Sequence, residues 1–108
     1  MQEQKIQECF ALADLEKLIK QSPGKFIIID VRNPEEYAEK HIPGAINIPL
    51  SELENRYNEL SKQVKIITAC GKGGGRSAQG AALLKQSGFS KANYLCAGTF
   101  GWYDTRTV

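Results

Sequence analysis

The residues of this chain best suited to chemistry lie in one stretch, ITACGKGGGRSAQGAALL, at positions 67–84. Cys70 ends an apolar run there, and an alanine-rich segment begins after Arg76. The other residues of this loop are Gly71, Lys72, Gly73, Gly74, Gly75 and Ser77. A cysteine attacks as its thiolate, whereas an unperturbed thiol, with a pKa near ~8.5, is mostly protonated at neutral pH. The stretch predicts a nucleophile only if its surroundings favour that negative charge.

Three features of the stretch would stabilise a thiolate. The positive end of a helix beginning near Arg76 points at the loop, glycine N–H groups can converge on an anion without backbone strain, and Lys72 and Arg76 add full charges. The same cradle would hold a sulfonate, a phosphate or a persulfide, since each is an anion. The alternative is a glycine-rich turn that surrounds a buried, inert Cys70.

Two apolar runs predict the strands that position this loop. KFIIIDV, at 25–31, and VKIITA, at 64–69, are apolar at successive positions, which is typical of strands buried on both faces of a parallel sheet. An amphipathic helix starting near Leu12 precedes them and closes at Pro23 and Gly24.

Two short helices are predicted between these strands. Asn33 caps the first, with Pro34 at its first position, and Ser51 with Glu54 forms a capping box for the second. HIPGAINIPL, at 41–50, indicates an extended connection because of its prolines and glycine.

After the loop, the alanine-rich helix is predicted to run to Gly88, followed by a strand near NYLC, at 93–96, and a terminal segment, GTFGWYDT. Alternating strands and helices predict a single α/β domain over residues 1–108, an open sheet with helices on its faces. Ligands of such folds bind beyond the carboxyl ends of the strands, and Cys70 falls at such an end.

The composition limits the function classes. A net charge of +2, from 14 basic and 12 acidic residues, argues against a nucleic-acid partner. The longest apolar run, 26–29, is too short to cross a membrane, and the polar start MQEQK lacks the apolar region of a signal peptide, so we expect a cytoplasmic protein without membrane contact. Three cysteines, Cys9, Cys70 and Cys96, without metal-ligand spacing predict no disulfide framework, no metal site and at least one free thiol.

Four stretches resemble the rhodanese domain family, and together they cover nearly all of the chain. IIDVRNPEEYAEKHIPGAINIPL, at 28–50, resembles the first family signature almost position for position. Cys70 stands at the family's catalytic position, and RSAQGAALLKQSGF, at 76–89, resembles the helix after it. YLCAGTFGWYD, at 94–104, resembles the closing signature, with Ala97-Gly98 in place of two glycines.

The resemblance implies a parallel sheet with helices on both faces and a sulfurtransferase without a cofactor. Cys70 would take sulfane sulfur from a small anionic donor such as thiosulfate and pass it, as a persulfide, to a thiol, cyanide-like or protein acceptor. Loop residues 71–77 would bind the substrate, with Lys72 and Arg76 at the donor's anionic end.

Three charged residues are predicted to support the loop rather than to react. Asp30 and Arg32 resemble a charge pair at a strand end, and Glu36 is expected to be a second partner of Arg32. His41, the single histidine, is expected to fix its own connection rather than to act as a base, because a preactivated thiolate needs none. Trp102 is expected to pack the terminal segment.

The length of the loop leaves two other functions open. Single-domain rhodaneses commonly have Cys-Xaa-Xaa-Gly-Xaa-Arg-Ser, and this loop is one residue longer. Its Cys-Xaa5-Arg-Ser spacing resembles cysteine phosphatases and rhodanese-fold arsenate reductases, although Ala69 stands where phosphatases usually have His and the loop holds no acid for a leaving group. A noncatalytic module that carries sulfur to a partner enzyme is the second alternative. If Cys96 were a resolving thiol that closes a disulfide with Cys70, a redox function or arsenate reduction would be favoured.

Overall fold

The computed structural model describes residues 9–104. Within them, four strands form one sheet in the order β2-β1-β3-β4, and every neighbouring pair is parallel. The strands are β1 (Phe26–Asp30), β2 (Ile46–Asn47), β3 (Lys65–Ala69) and β4 (Ala92–Tyr94). The predicted open parallel α/β sheet is confirmed.

The α-helices of the described residues cover both faces of this sheet. They are α1 (Leu12–Gln21), α2 (Pro34–Glu39), α3 (Leu50–Arg56), α4 (Gly75–Gln86) and α5 (Gly98–Asp104), with a 3-10 turn, Tyr57–Glu59, after α3. None of the helices within residues 9–104 is long and apolar enough to span a membrane.

Neighbouring residues of the apolar strands enter two separate cores, as the unbroken apolar runs predict. Ile29 packs with Leu53 of α3 and Leu84 of α4 on one face of the sheet. Ile28, its neighbour in β1, packs with Trp102 of α5 on the other face. The central strands are therefore buried on both sides, which is typical of a parallel sheet.

Two predictions for the segment between β1 and β3 are wrong. Ile46–Asn47 of the predicted connection pairs with β1 as the edge strand β2. The helix predicted after a Ser51 cap begins at Leu50, so Ser51 lies inside α3. The Leu50 N–H donates to the Val31 carbonyl at 2.9 Å, and Pro49, with φ −56°, stands at the cap position in place of Ser51, so the helix starts two residues earlier than predicted.

A disulfide joins Cys9 to Cys96, and this corrects the expectation of no disulfide. The Phe10 N–H donates to the Tyr94 carbonyl at 2.6 Å, and the Cys96 N–H donates to the Phe10 carbonyl at 2.9 Å. This pairing along the β4 edge brings the two cysteines together. Cys70 is the free thiol, so the alternative in which Cys96 pairs with Cys70 is wrong for this structure.

Candidate active site

Cys70 directly follows β3 at the carboxyl end of the sheet, as predicted. Its side chain is 5% exposed and belongs to the core beneath α3 and α4. The Cys70 sulfur lies 3.1 Å from the Gly74 carbonyl oxygen and 3.3 Å from the Ser77 hydroxyl oxygen. The thiol hydrogen therefore has two acceptors within the loop, and Ser77, itself fully buried, is brought to the sulfur by the first turn of α4.

The direction of the Gly74 carbonyl differs from the expected ring of inward N–H groups. This carbonyl faces the Cys70 sulfur, and the Ser77 hydroxyl also donates to it at 2.8 Å. Gly73, Gly74 and Gly75 have φ values of +85°, +76° and +48°, a run of left-handed backbone that only glycines adopt readily. The carbonyl oxygen is an acceptor for the thiol hydrogen, whereas the expected ring would have turned N–H donors towards the sulfur.

The start of α5 supports the loop from below. The Thr99 N–H donates to the Cys70 carbonyl at 2.7 Å, and the Phe100 N–H donates to the Gly71 carbonyl at 2.9 Å. Gly98, with φ +70°, lies so close that a Cβ there would be 2.6 Å from the Gly71 oxygen and the Gly73 nitrogen. The sequence pointed to this segment through the closing signature, but nothing in its periodicity predicted these contacts. The Thr99 hydroxyl is buried without a hydrogen-bond partner among the described residues.

Arg76 and Glu36 form an ion pair above the loop. The two terminal nitrogens of Arg76 donate to the two carboxylate oxygens of Glu36, at 2.9 and 3.2 Å. The expectation that Glu36 is a second partner of Arg32 holds only for their electrostatic attraction. The hydrogen bonds join Glu36 to Arg76 instead, because α2 turns the carboxylate towards the loop, and the Asn33 N–H also donates to it at 3.0 Å. The Arg76 guanidinium, with help from the Asn33 N–H, lowers the pKa of Glu36 from 4.5 to about 2.

Asp30 and Arg32 form the predicted charge pair, and it is almost completely buried. The exposed fractions of the two side chains are 1% and 2%. Arg32 donates to the Asp30 carboxylate through its backbone N–H, its Nε and one terminal nitrogen, at 3.0, 3.0 and 2.8 Å. Its hydrogen bond to Asp30 raises the pKa of Arg32. This pair fixes the end of β1, where the Val31 N–H donates to the Ala69 carbonyl beside Cys70.

Lys72, His41 and Trp102 are the remaining candidates. Lys72 is exposed on the loop. His41 bonds through Nδ1 to the Tyr37 carbonyl at 2.8 Å and stacks on the Tyr37 ring, which agrees with a role in fixing its own connection. Trp102 is 7% exposed and packs in the core, as expected. Residues 9–104 contain no group of three His, Cys, Asp or Glu side chains that could hold a metal ion.

The pKa of Glu36 predicts how its contribution to stability depends on pH. Because this pKa is about 2 in the folded protein and ordinarily 4.5, the stabilisation is complete above pH 4.5 and is lost as the pH falls towards 2. Both side chains of the pair are about 40% exposed, so water screens the attraction and we expect less than ~1 kcal/mol. Urea unfolding of the wild type and Glu36→Gln between pH 7 and 2 measures the difference. If the difference in the free energy of unfolding between the two proteins does not shrink on acidification, the lowered pKa of Glu36 is contradicted.

Comparison with known proteins agrees with this geometry. The family model for the rhodanese-like domain matches residues 11–105. The putative sulfur carrier protein YrkF of Bacillus subtilis is 43% identical over 75 residues, which cover 69% of this chain and 40% of that relative. A sulfurtransferase of Allochromatium vinosum is 32% identical over 76 residues, 70% of each chain.

A solved structure gives the same result for the fold. The human single-domain sulfurtransferase TSTD1 superimposes with a TM-score of 0.82 and 26% identity, over 92% of this chain and 97% of the other. The family model covers most of the chain, including β3, the loop that holds Cys70 and α4. The chain belongs to the rhodanese-like domain family.

Proposed function

We propose that this protein is a sulfurtransferase that holds sulfane sulfur as a persulfide on Cys70. The observation that carries the proposal is a free thiol directly after β3, within hydrogen-bond distance of Ser77, in a chain of this family. Relatives named as a sulfurtransferase and as a putative sulfur carrier support the same chemistry.

The transfer takes two displacement steps. In the first, the Cys70 thiolate attacks the outer sulfur of a donor such as thiosulfate, a new S–S bond forms, the old one breaks, and sulfite leaves with the bonding electrons. In the second, a nucleophile such as cyanide or a thiol attacks the terminal sulfur, and the electron pair returns to Cys70. The two steps balance without an external oxidant or reductant.

The charged forms of Cys70 require the Gly74 carbonyl to turn away, because that oxygen would repel them. A Cβ at Gly74 or Gly75 would meet no atom within 4 Å, so nothing blocks the turn sterically. The turn does break the two hydrogen bonds that the Ser77 N–H and hydroxyl donate to the Gly74 carbonyl, at 3.1 and 2.8 Å. Rotation of the peptide between these two residues directs the Gly75 N–H towards the sulfur. It also frees the Ser77 hydroxyl to donate to Cys70.

The spacing of the loop favours one alternative function. Cys-Xaa5-Arg-Ser suits a tetrahedral oxyanion, and a phosphatase or arsenate reductase would use it with Cys70 as nucleophile. The hydrogen bonds between Arg76 and Glu36 oppose that use, because the guanidinium is already engaged by a carboxylate. A sulfur carrier that delivers to a partner enzyme is the other alternative, favoured by the name of the B. subtilis relative.

The intact mass of the protein tests the proposal. We expect the wild type to gain one sulfur atom with thiosulfate and to lose it with cyanide, whereas Cys70→Ser gains none. No gain with thiosulfate or with an organic persulfide, with Cys70 still open to alkylation, would contradict a sulfurtransferase or carrier. Turnover of nitrophenyl phosphate or arsenate that Cys70→Ser lacks would then support the oxyanion alternative. A gain of sulfur with negligible turnover on small acceptors would support the carrier.

A further inference from the structure

We propose that Glu36 and Phe100 set the donor preference of this site, towards the persulfide of an organic thiol and away from a doubly charged oxyanion such as thiosulfate. This inference rests on the proposed function. It concerns which molecule delivers the sulfur, and it assigns to Glu36 a role other than support of the fold.

The hydrogen bonds of Arg76 carry the first part of the inference. Both terminal nitrogens of its guanidinium donate to the Glu36 carboxylate, so the side of the guanidinium that binds an oxyanion with two parallel bonds is occupied. A sulfonate must displace Glu36 or use the remaining N–H groups. Because the pair is about 40% exposed and weak, a sulfonate can displace Glu36 from Arg76. The energy needed to break the pair raises the KM for that donor.

The charges beside the loop give thiosulfate little further attraction. A cavity of about 210 Å³ adjoins the pair and is lined by Arg32, Glu36, Glu39, Lys40 and Phe100. Its two cations and two carboxylates cancel. The positive charge of Arg32 is in addition neutralised by its contact with Asp30. A dianion therefore meets no net positive charge in this cavity, and Lys72 is the exposed cation that the loop adds. The persulfide group of R–S–SH brings no charge and needs no cation to bind it.

Phe100 carries the second part of the inference, because it offers an apolar contact at the same place. Its side chain is 44% exposed, one of few large apolar side chains of the described residues at the surface. A Cβ built on Gly71 would be 3.0 Å from the Phe100 ring, so the ring lies beside the residue that follows Cys70. The carbon body of an organic thiol can pack on this ring, and an inorganic oxyanion gains nothing from it.

The first step with such a donor is the same displacement with another leaving group. The Cys70 thiolate attacks the outer sulfur of R–S–SH, the new S–S bond forms, and the bond between the two donor sulfurs breaks. R–S⁻ leaves with the electron pair and takes a proton from water. The proton on the transferred sulfur stays with it, and the products are the Cys70 persulfide and the free thiol.

The test compares two donors, thiosulfate and benzyl persulfide, whose organic part is apolar and uncharged, as the ratio of their kcat/KM values. Removing the charge in Glu36→Gln is expected to lower the KM for thiosulfate about 2- to 5-fold and to shift the ratio towards thiosulfate. Phe100→Ala is expected to shift the ratio in the same direction by raising the KM for the persulfide. Glu35→Gln, which removes an exposed charge from the same helix, is the control and should leave the ratio unchanged.

Each outcome has one meaning. A residue that only supports the fold would reduce the use of both donors alike, so equal losses in Glu36→Gln would overturn the role of Glu36. If both donors load the wild type and neither variant changes the ratio, this inference is wrong and the proposed function stands. If neither donor places sulfur on Cys70 of the wild type, the proposed function is itself wrong, and the inference falls with it.

Discussion

Replacing Gly98 by alanine is expected to slow the loading of sulfur onto Cys70 by about 100-fold, because displacements near 1 Å in a catalytic group have effects of that size. Gly98 has φ +70°, which strains any other residue, and a Cβ there would lie 2.6 Å from the Gly71 oxygen and the Gly73 nitrogen. Both are backbone atoms of the loop, so relieving the clash moves the loop and α5 apart and disturbs the contacts that hold the Cys70 and Gly71 carbonyls. The initial rate of sulfur gain, followed by intact mass, measures the effect.

Gly24→Ala is the matched control for this prediction. Gly24 has φ +84°, but a Cβ there would meet no atom within 4 Å. The substitution therefore adds left-handed backbone strain of roughly 1–2 kcal/mol without a clash. We expect it to lower stability and to leave loading unchanged. Loading by Gly98→Ala at the wild-type rate would show that the loop tolerates displacement by α5.

Removing the carboxylate in Asp30→Ala is expected to lower the free energy of unfolding by about 3–5 kcal/mol, the usual effect of breaking a buried ion pair. Asp30 and Arg32 are 1% and 2% exposed, and Arg32 directs three of its N–H groups to that carboxylate. Without it, the guanidinium stays buried with one strong contact, the Lys40 carbonyl at 2.5 Å. Equilibrium unfolding in urea measures the loss.

Two further variants separate the buried pair from its exposed counterpart. Arg56 bonds to Glu52 at 3.0 Å on the surface of α3, and Glu52→Gln is expected to leave the free energy of unfolding almost unchanged. Replacing both members of the buried pair, in Asp30→Leu with Arg32→Met, is expected to restore most of the lost stability, because no unpaired charge remains. A loss in Asp30→Ala no larger than in Glu52→Gln would contradict the assigned burial. The double variant keeps the test informative if Asp30→Ala fails to fold.

Those parts of the fold that depend on local pattern were predictable from the sequence. The unbroken apolar runs predicted β1 and β3, since a strand buried on both faces needs apolar side chains at every position. Gly88, with φ +99°, ends the turn after α4 as expected of a residue just beyond a helix. The edge strand β2 was missed because two residues show no periodicity, and only pairing with β1 makes them a strand.

Contacts between distant segments account for what the sequence analysis missed at the site. Glu36 and Arg76 are 40 positions apart, and a pattern of charges does not show that α2 turns one towards the other. The disulfide was missed because it depends on Phe10 pairing along the β4 edge, which places Cys9 beside Cys96. The direction of the Gly74 carbonyl was unpredictable for another reason. Glycine permits both orientations of a peptide, and the choice depends on the hydrogens of Cys70 and Ser77.

The Cys9–Cys96 bond makes a closed covalent ring of the chain between two residues 87 positions apart. All four described strands lie inside that ring, and α5 lies outside it. A pulling force applied between residues 9 and 104 therefore passes through the sulfur bridge to the segment after Cys96, and it reaches the sheet only through the contacts of α5. Because α5 holds the Cys70 and Gly71 carbonyls, tension on the oxidised protein would detach the support of the loop first. In the reduced protein the same tension would pull on the β4 edge of the sheet.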